Sequence, residues 1–520
     1  MPAKTLAAMR ERSAMCGFVC LWNLDDEQLA SRMIRKMEHR GPDALEVLRP
    51  KNIPVVMAHA RLAIIGPDNG AQPIYQGDNI LVVNGEIYNH TDLRAILGEA
   101  AFQTRSDSET VLHLFRNNTL RWVSRLDGMF AFVLATPDRI IAARDALGIK
   151  PLYVAHIGEG LAFASELKAF DGVDAAKIEA LAPGAMFDSQ AGMRRWYRMP
   201  QGAADPEPGI DEELTWRELR LVLEEAVAKW MVADVEVGSF LSGGLDSSLI
   251  AAIAARQSPK RLKTFSVGLA GSPDLIAARR VADYLGTEHY EHAFTPEEVA
   301  RVLPHVIYHL ESADIDLVRS AVPTHFAARL ARRHVKAVLT GEGADELFAG
   351  YTYHHAYVDR PRELADELTR SLGTMHNINL QRVDRVTMAE SLEARTPFLD
   401  RELIGFAQSI PATLKLRRTD PASPESTGPT TEKWILRKAC ADLLPHDLVW
   451  RKKAQFDEGS GAVAALGEAL QAMTGSATPL DRAAEGAVYE SLLRQSYSDP
   501  DRIINAAGKW VANRVSVAAA

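Results

Sequence analysis

The sequence predicts two joined domains of different class. Residues 16–200 read as an α+β domain of stacked antiparallel sheets, and 213–520 as an α/β domain on a parallel sheet, with a linker over 201–212. Three observations carry this. The length, 520 residues, exceeds one ordinary domain. Up to about residue 200, short β-like runs turn back at Pro and Gly, as antiparallel pairs do. From about residue 235, apolar strand-length runs alternate with helical stretches, the signature of right-handed crossovers in a parallel sheet.

The elements follow in order. Helical periodicity marks 27–38 and 107–115, and apolar runs mark strands at 54–59 and 79–83. Residues 129–134 and 139–143 form a hairpin around Thr136-Pro137-Asp138, and Gly148 to Pro151 and Gly158-Glu159-Gly160 supply further turns. The linker is rich in Pro, Gly and Ala. A long amphipathic helix follows over 211–230, with Leu214, Leu219, Leu223, Val227 and Trp230 on one face. Strands at 235–241, 262–269, 289–294 and 335–340 then alternate with helices at 249–255, 273–285, 296–308 and 320–333. Residues 419–431 are poor in apolar side chains and read as a mobile loop. Beyond about residue 470 no chemistry is legible.

Composition narrows the function classes. Hydrophobic residues make up 47% and charged residues 24%, as in soluble globular proteins. A net charge of −9 argues against a nucleic-acid surface. The three cysteines, Cys16, Cys20 and Cys440, make no disulfide framework and fit a reducing compartment. No apolar run reaches the length of a membrane span, and 1–15 lack the apolar centre of a secretory signal. The expectation is a cytoplasmic protein with no membrane or nucleic-acid partner.

Two stretches point to chemistry. Ser239-Phe240-Leu241-Ser242-Gly243-Gly244-Leu245-Asp246-Ser247-Ser248 runs from strand to Gly-rich loop to helix. Glycines let the backbone approach an anion, and the helix start offers N–H groups and a favourable dipole. The stretch lacks the Gly-Lys-Ser/Thr of the common P-loop. Ligands of parallel sheets sit beyond the carboxyl ends of the strands, so the loops at 242–248, 267–268 and 341–346 converge there. The other stretch is Met15-Cys16-Gly17. A thiol attacks as thiolate and needs a base; at a chain start its own α-amine, of pKa about 8, supplies one. The working protein is therefore expected to begin at Cys16, through a start at Met15 or through processing.

The neighbours of Cys16 extend this. His39-Arg40-Gly41-Pro42-Asp43, Ala58-His59-Ala60-Arg61-Leu62, Val83-Asn84-Gly85-Glu86-Ile87-Tyr88-Asn89 and Ser106-Asp107-Ser108-Glu109 resemble the class II glutamine amidotransferases. The resemblance implies an N-terminal-nucleophile hydrolase fold, with Cys16 attacking the glutamine side-chain amide. It places Asn84 and the Gly85 N–H in the oxyanion hole and Arg61 on the glutamine carboxylate. Glu86 and Asp107 would hold the glutamine polar groups, Asp107 the α-amine.

Ser-Gly-Gly-Leu-Asp-Ser-Ser (242–248) is similar to the pyrophosphate loop of ATP pyrophosphatases, which make AMP and pyrophosphate. Gly341-Glu342-Gly343-Ala344-Asp345-Glu346, the stretch from Ser391 to Asp400, 265–274 and 450–456 extend the resemblance to glutamine-hydrolysing asparagine synthetases. That resemblance implies ATP as substrate, Mg²⁺, aspartate as acceptor and a possible homodimer. Phe240, Leu241, Ser242, Gly243, Gly244, Ser247, Val267, Thr340 and Gly341 would line the nucleotide. Asp246 and Asp345 would bind Mg²⁺ and pyrophosphate. Lys453 and Arg319 would neutralise charge as AMP and pyrophosphate separate. Glu342 would orient the acceptor or take an ammonia proton, and Arg40 and Met129 would line an ammonia passage.

Two departures matter. Asp316 and Leu317 stand where hydroxyl residues are typical near the aspartate position, which leaves another carboxylate in specialised metabolism as the alternative acceptor. The residues after Phe456 lack the expected aromatics. A silent homologue is disfavoured by the presence of Cys16, Asp246, Asp345 and Lys453. A β-lactam-forming relative is disfavoured too, because ring closure on an internal amine needs neither ammonia nor Cys16.

Overall fold

The computed structural model describes residues 16–61, 63–66, 68–117, 121–205, 210–452 and 456–508. The first part holds twelve strands in two antiparallel sheets. They are β1 (Gly17–Trp22), β2 (Ala44–Leu48), β3 (Val55–Arg61), β4 (Ile74–Gln76), β5 (Asn79–Ile87), β6 (Gly128–Ala135), β7 (Ile140–Arg144), β8 (Tyr153–Ile157), β9 (Gly160–Ala164), β10 (Ile178–Ala180), β11 (Ala185–Asp188) and β12 (Gly192–Arg195). One sheet runs β10-β8-β9-β1-β3-β2 and the other β12-β11-β7-β6-β5-β4.

Strand alternation explains the stacking. One face of the first sheet gives Phe18, Cys20, Val55 and Met57 to a shared core with Val82, Ala131 and Val133 of the second. The opposite face, Val19, Leu21, Val56 and Ala58, packs under α1 (Glu27–Arg35) through Met33 and Ile34. Asp26 starts that helix by accepting from the Leu29 N–H at 2.7 Å. On the second sheet, Val83, Phe130 and Phe132 pack against α3 (Glu109–Arg116), which follows α2 (His90–Leu97). The result is a helix–sheet–sheet–helix sandwich, whose stacked antiparallel sheets the sequence predicts.

The second part is built on a parallel sheet of β13 (Val237–Phe240), β14 (Lys263–Gly268), β15 (Glu288–Ala293), β16 (Ala337–Leu339) and β17 (Glu393–Arg395), in the order β15-β14-β13-β16-β17. Its helices include α4 (Glu212–Trp230), α5 (Leu245–Gln257), α6 (Pro273–Leu285), α7 (Pro296–Leu310), α8 (Ile315–Ala331), α9 (Ala344–Phe348), α10 (Pro361–Thr374) and α11 (Asn379–Ala389). The sequence does not announce β17, because Glu-Ala-Arg reads as a charged surface. It is buried because Arg395 Nε meets Glu393 at 2.7 Å while its Nη1 donates to the carbonyls of Trp230 and Val232.

Two expectations change. Leu214 is exposed, and the buried stripe of α4 begins one turn later with Thr215, Leu219 and Leu223. Residues 419–431 are not a loose loop: Leu416–Arg418 and Thr430–Glu432 pair, and Thr419 Oγ1 ties the turn to the Gly428 carbonyl at 2.7 Å and to Thr431 at 2.8 Å. The linker is anchored where it is described, with the Gly202 N–H on Thr369 and the Ala203 N–H on the Gln408 carbonyl.

Cores and charges join the two parts. Helices Ala462–Thr474, Arg482–Ser496 and Pro500–Ala506 pack with α7, α8 and the α1 side of the first sheet in one continuous core. Beside it runs a buried ionic seam. Arg40 pairs with Glu166 at 2.6 Å and with Asp384 at 2.8 Å, while Glu311 takes Lys168 at 3.2 Å and Arg385 at 2.8 Å. Such charges are tolerable in the interior because each has a partner. Among the described residues, no helix is long and apolar enough to cross a membrane.

Candidate active sites

The first site forms where the two antiparallel sheets approach each other at β1 and β5. Cys16 immediately precedes β1, and its carbonyl accepts from Arg40 Nε at 3.2 Å. Asn84, Gly85 and Glu86 lie side by side in β5. Gly85 has φ +133°, and a Cβ there would stand 2.0 Å from the Met129 carbonyl oxygen, so only glycine fits. Asn84 Nδ2 and Glu86 Oε2 are buried with no hydrogen-bond partner among the described residues. Buried polar atoms are normally satisfied, so this pair points to a missing polar ligand.

The site is also electrically unbalanced. Burial first, and then the nearby Asp107, raise Glu86 well above the ordinary carboxylate range. Burial likewise raises Asp107, although its carboxylate accepts the Ile87 N–H at 2.6 Å. Two desolvated carboxyl groups favour a bound cation such as an α-ammonium. Arg61, at the end of β3, donates from Nη2 to the Gly66 carbonyl at 2.7 Å.

The second site is a cleft of about 510 Å³ at the carboxyl ends of the parallel strands. Phe240, Leu241, Ser242, Gly244, Asp246, Ser247, Val267, Thr340 and Gly341 line it, with Glu342 and Asp345. Gly243 shapes the loop from behind: its φ is +74°, and a Cβ would meet Ala278 N at 2.5 Å. The loop is laced by Ser247 Oγ, which accepts the Ser242 N–H at 3.1 Å and lies 3.0 Å from Ser242 Oγ. Gly244 caps α5 without a side chain, leaving the first N–H groups of a 13-residue helix facing the cleft for an anion.

At its centre is a residue the sequence reading missed. Lys433 Nζ lies 2.6 Å from both Asp246 oxygens and 2.5 Å from Asp345 Oδ1. Burial alone would lower its pKa, but the two aspartates hold it above the ordinary lysine value. Gly350 makes room, since a Cβ there would stand 2.1 Å from Lys433 Cε. The available signal is Glu432-Lys433-Trp434-Ile435-Leu436, a lone lysine at the mouth of an apolar helix.

Other cleft groups come from α11 and its neighbours. Arg382 holds Glu342 at 2.5 Å and Thr324 Oγ1 at 3.0 Å. Glu346 is pushed up to about 7 by burial and by Asp345, while Tyr351 and Asn379 donate to it at 2.6 and 2.9 Å. Arg451 reaches the Gly243 carbonyl at 3.0 Å.

One expected residue is not brought to the cleft, and another falls outside the described residues. Arg319 is turned away into a bidentate pair with Glu485 at 2.8 and 2.6 Å and does not line the cleft. Its position on α8 faces the helix Arg482–Ser496, which the sequence did not place there. Lys453 lies outside the described residues, although Lys452 beside it lines the cleft. Arg40 and Met129 are fully buried, Arg40 in the ionic seam and Met129 in a core shared by both parts.

Known proteins share these features. A family model described as asparagine synthase matches residues 218–364 and 357–520, and one described as glutamine amidotransferase domain matches 15–190. The chain is 40% identical over 473 residues to "Asparagine synthetase [glutamine-hydrolyzing] 2" of Arabidopsis thaliana, covering 86% of this chain and 79% of that one. It is 38% identical over 491 residues to "Probable asparagine synthetase [glutamine-hydrolyzing]" of Schizosaccharomyces pombe, covering 86% and 85%. A solved glutamine phosphoribosylpyrophosphate amidotransferase from B. subtilis aligns at 20% identity with a TM-score of 0.32, over 53% of this chain and 65% of that one. With its cysteine-headed sheet sandwich and its phosphate-loop cleft, the chain belongs to the glutamine-hydrolysing asparagine synthetase family.

Proposed function

We propose that this chain makes asparagine from aspartate, using ammonia from glutamine and ATP, with AMP, pyrophosphate and glutamate as co-products. The observation that carries the reading is the pairing, in one chain, of a cysteine beside orphaned amide- and carboxyl-bearing side chains with a phosphate-loop cleft holding two aspartates. Residues 16–200 act as the glutaminase and 213–520 as the synthetase. The Cys16 thiolate attacks the glutamine amide carbon, with Asn84 Nδ2 and the Gly85 N–H receiving the oxyanion. Ammonia leaves, and water hydrolyses the thioester. Arg61 holds the glutamine carboxylate, and Glu86 and Asp107 hold its amine. In the cleft the aspartate side-chain carboxylate attacks the α-phosphorus and pyrophosphate departs. Ammonia then displaces AMP.

Asp246 and Asp345 fit a divalent ion, because their oxygens already converge on one cation, Lys433 Nζ. Mg²⁺ held there would supply charge neutralisation to the phosphates. We assign the remaining neutralisation to Lys433 and Arg451, with Lys453 as a third candidate, rather than to Arg319. Glu342, fixed by Arg382, orients the acceptor or takes the ammonia proton. The departures at 316–317 line the cleft: Asp316 is engaged by Arg482 at 2.6 Å, and Leu317 also belongs to the core.

Replacing Cys16 by Ala tests the reading. Glutamine-driven pyrophosphate release with aspartate should vanish while ammonia-driven release persists. Amide formation from glutamine at the parent rate, or no pyrophosphate release with aspartate, overturns it.

A further inference from the structure

Outside the cleft, three elements bring together a group of side chains that the reaction does not use. His305 comes from α7, His325 from α8, and Glu390 from the residue that ends α11. Their donor atoms all lie within 4.8 Å of one another. Glu390 Oε1 is 3.4 Å from His325 Nδ1 and 3.9 Å from His305 Nε2. His325 is 2% exposed, yet neither ring nitrogen makes a hydrogen bond among the described residues. A buried imidazole whose nitrogens make no hydrogen bond is costly, and its nearest polar neighbour is the Glu390 carboxylate.

The chemistry of the three groups selects a ligand. A neutral imidazole offers a ring-nitrogen lone pair to a metal. Two imidazoles and one carboxylate suit a borderline divalent ion of the zinc class. A hard ion such as Mg²⁺ or Ca²⁺ prefers more oxygens than one carboxylate provides. The other Glu390 oxygen accepts from Arg332 Nη1 at 3.0 Å, the kind of outer contact that fixes a ligating carboxylate. The His305 side chain is 45% exposed, which leaves a path of entry.

We propose that His305, His325 and Glu390 bind one divalent ion of the zinc class, with water completing its coordination. The ion would tie α7, α8 and α11 together. α8 and α11 also carry Thr324 and Arg382, so the clip would brace one wall of the cleft from behind. This site is separate from the aspartate pair assigned to Mg²⁺.

The test uses the full chain with Cys16→Ala, so that the thiol cannot bind the probe. The protein is stripped with chelator and titrated with Zn²⁺, and separately with Co²⁺, while bound metal, thermal midpoint and visible absorption are followed. One ion per chain, a raised midpoint and Co²⁺ bands of low-coordinate type are expected. Adding His305→Ala or Glu390→Gln should weaken binding at least tenfold, whereas adding His156→Ala, on an exposed strand position, should not. Should Glu390→Gln fold poorly, the exposed His305→Ala decides. Binding unchanged by His305→Ala, or no retained ion, overturns the proposal.

Discussion

Replacing Lys433 by Met removes one ammonium and leaves two aspartates facing each other. The ammonium is 2% exposed and makes contacts of 2.5 and 2.6 Å with them. Removing one partner of a buried ion pair costs about 3–5 kcal/mol. The aspartates keep 20% exposure, so the lower end, about 3 kcal/mol, applies. For a unit of about 300 residues this lowers the thermal midpoint by about 5 °C. The sign with pH is fixed by the raised lysine pKa: the stabilisation is complete below its unfolded value and disappears only as pH rises through the folded one. At neutral pH the whole effect is therefore visible. Pyrophosphate release should fall about a hundredfold, because the same cation faces the departing phosphates, while glutaminase turnover changes less than twofold. Adding Asp345→Asn should recover part of the lost stability. A Lys433→Met protein with a midpoint within a degree of the parent and pyrophosphate release within twofold refutes the assignment.

Three further outcomes follow from the same geometry. Gly85→Ala forces a Cβ against the Met129 carbonyl at positive φ, so glutaminase activity should fall at least a hundredfold and stability by about 3 kcal/mol, while ammonia-driven synthesis survives. Glu346 has a folded pKa of about 7 against 4.5 unfolded, so the parent loses stability as pH rises between them; Glu346→Gln should match it in acid and exceed it by up to about 3 kcal/mol above pH 7, read from urea midpoints against pH. Asp384→Asn removes the seam partner of Arg40 beside Cys16, so glutamate formed should exceed AMP formed, measured as a product ratio that is near one in the parent.

Much of this was legible from the sequence. Short apolar runs broken by Pro and Gly turns pointed to the stacked sheets, and the Ser-Gly-Gly-Leu-Asp-Ser-Ser loop located the cleft, because runs, turns and glycine placement are local signals. What stayed hidden depends on contacts far apart in the chain. Lys433 looks like any surface lysine until the fold sets it between residues 187 and 88 positions away. Arg319 sits in a motif-like run, but its partner Glu485 lies in a stretch without legible chemistry. Glu393 and Arg395 can sit in a buried strand because they pair with each other and with Lys150 and the carbonyls of Trp230 and Val232.

The seam of Arg40, Glu166, Lys168, Glu311, Asp384 and Arg385 bears on how the enzyme responds to heat. The hydration these ions give up becomes less favourable as temperature rises, whereas the gain from burying hydrocarbon levels off. Warming therefore lowers the cost of keeping these charges buried, so the ionic part of the joint does not fade as the temperature rises. A junction held in this way keeps the two parts together on warming even where hydrocarbon burial no longer gains.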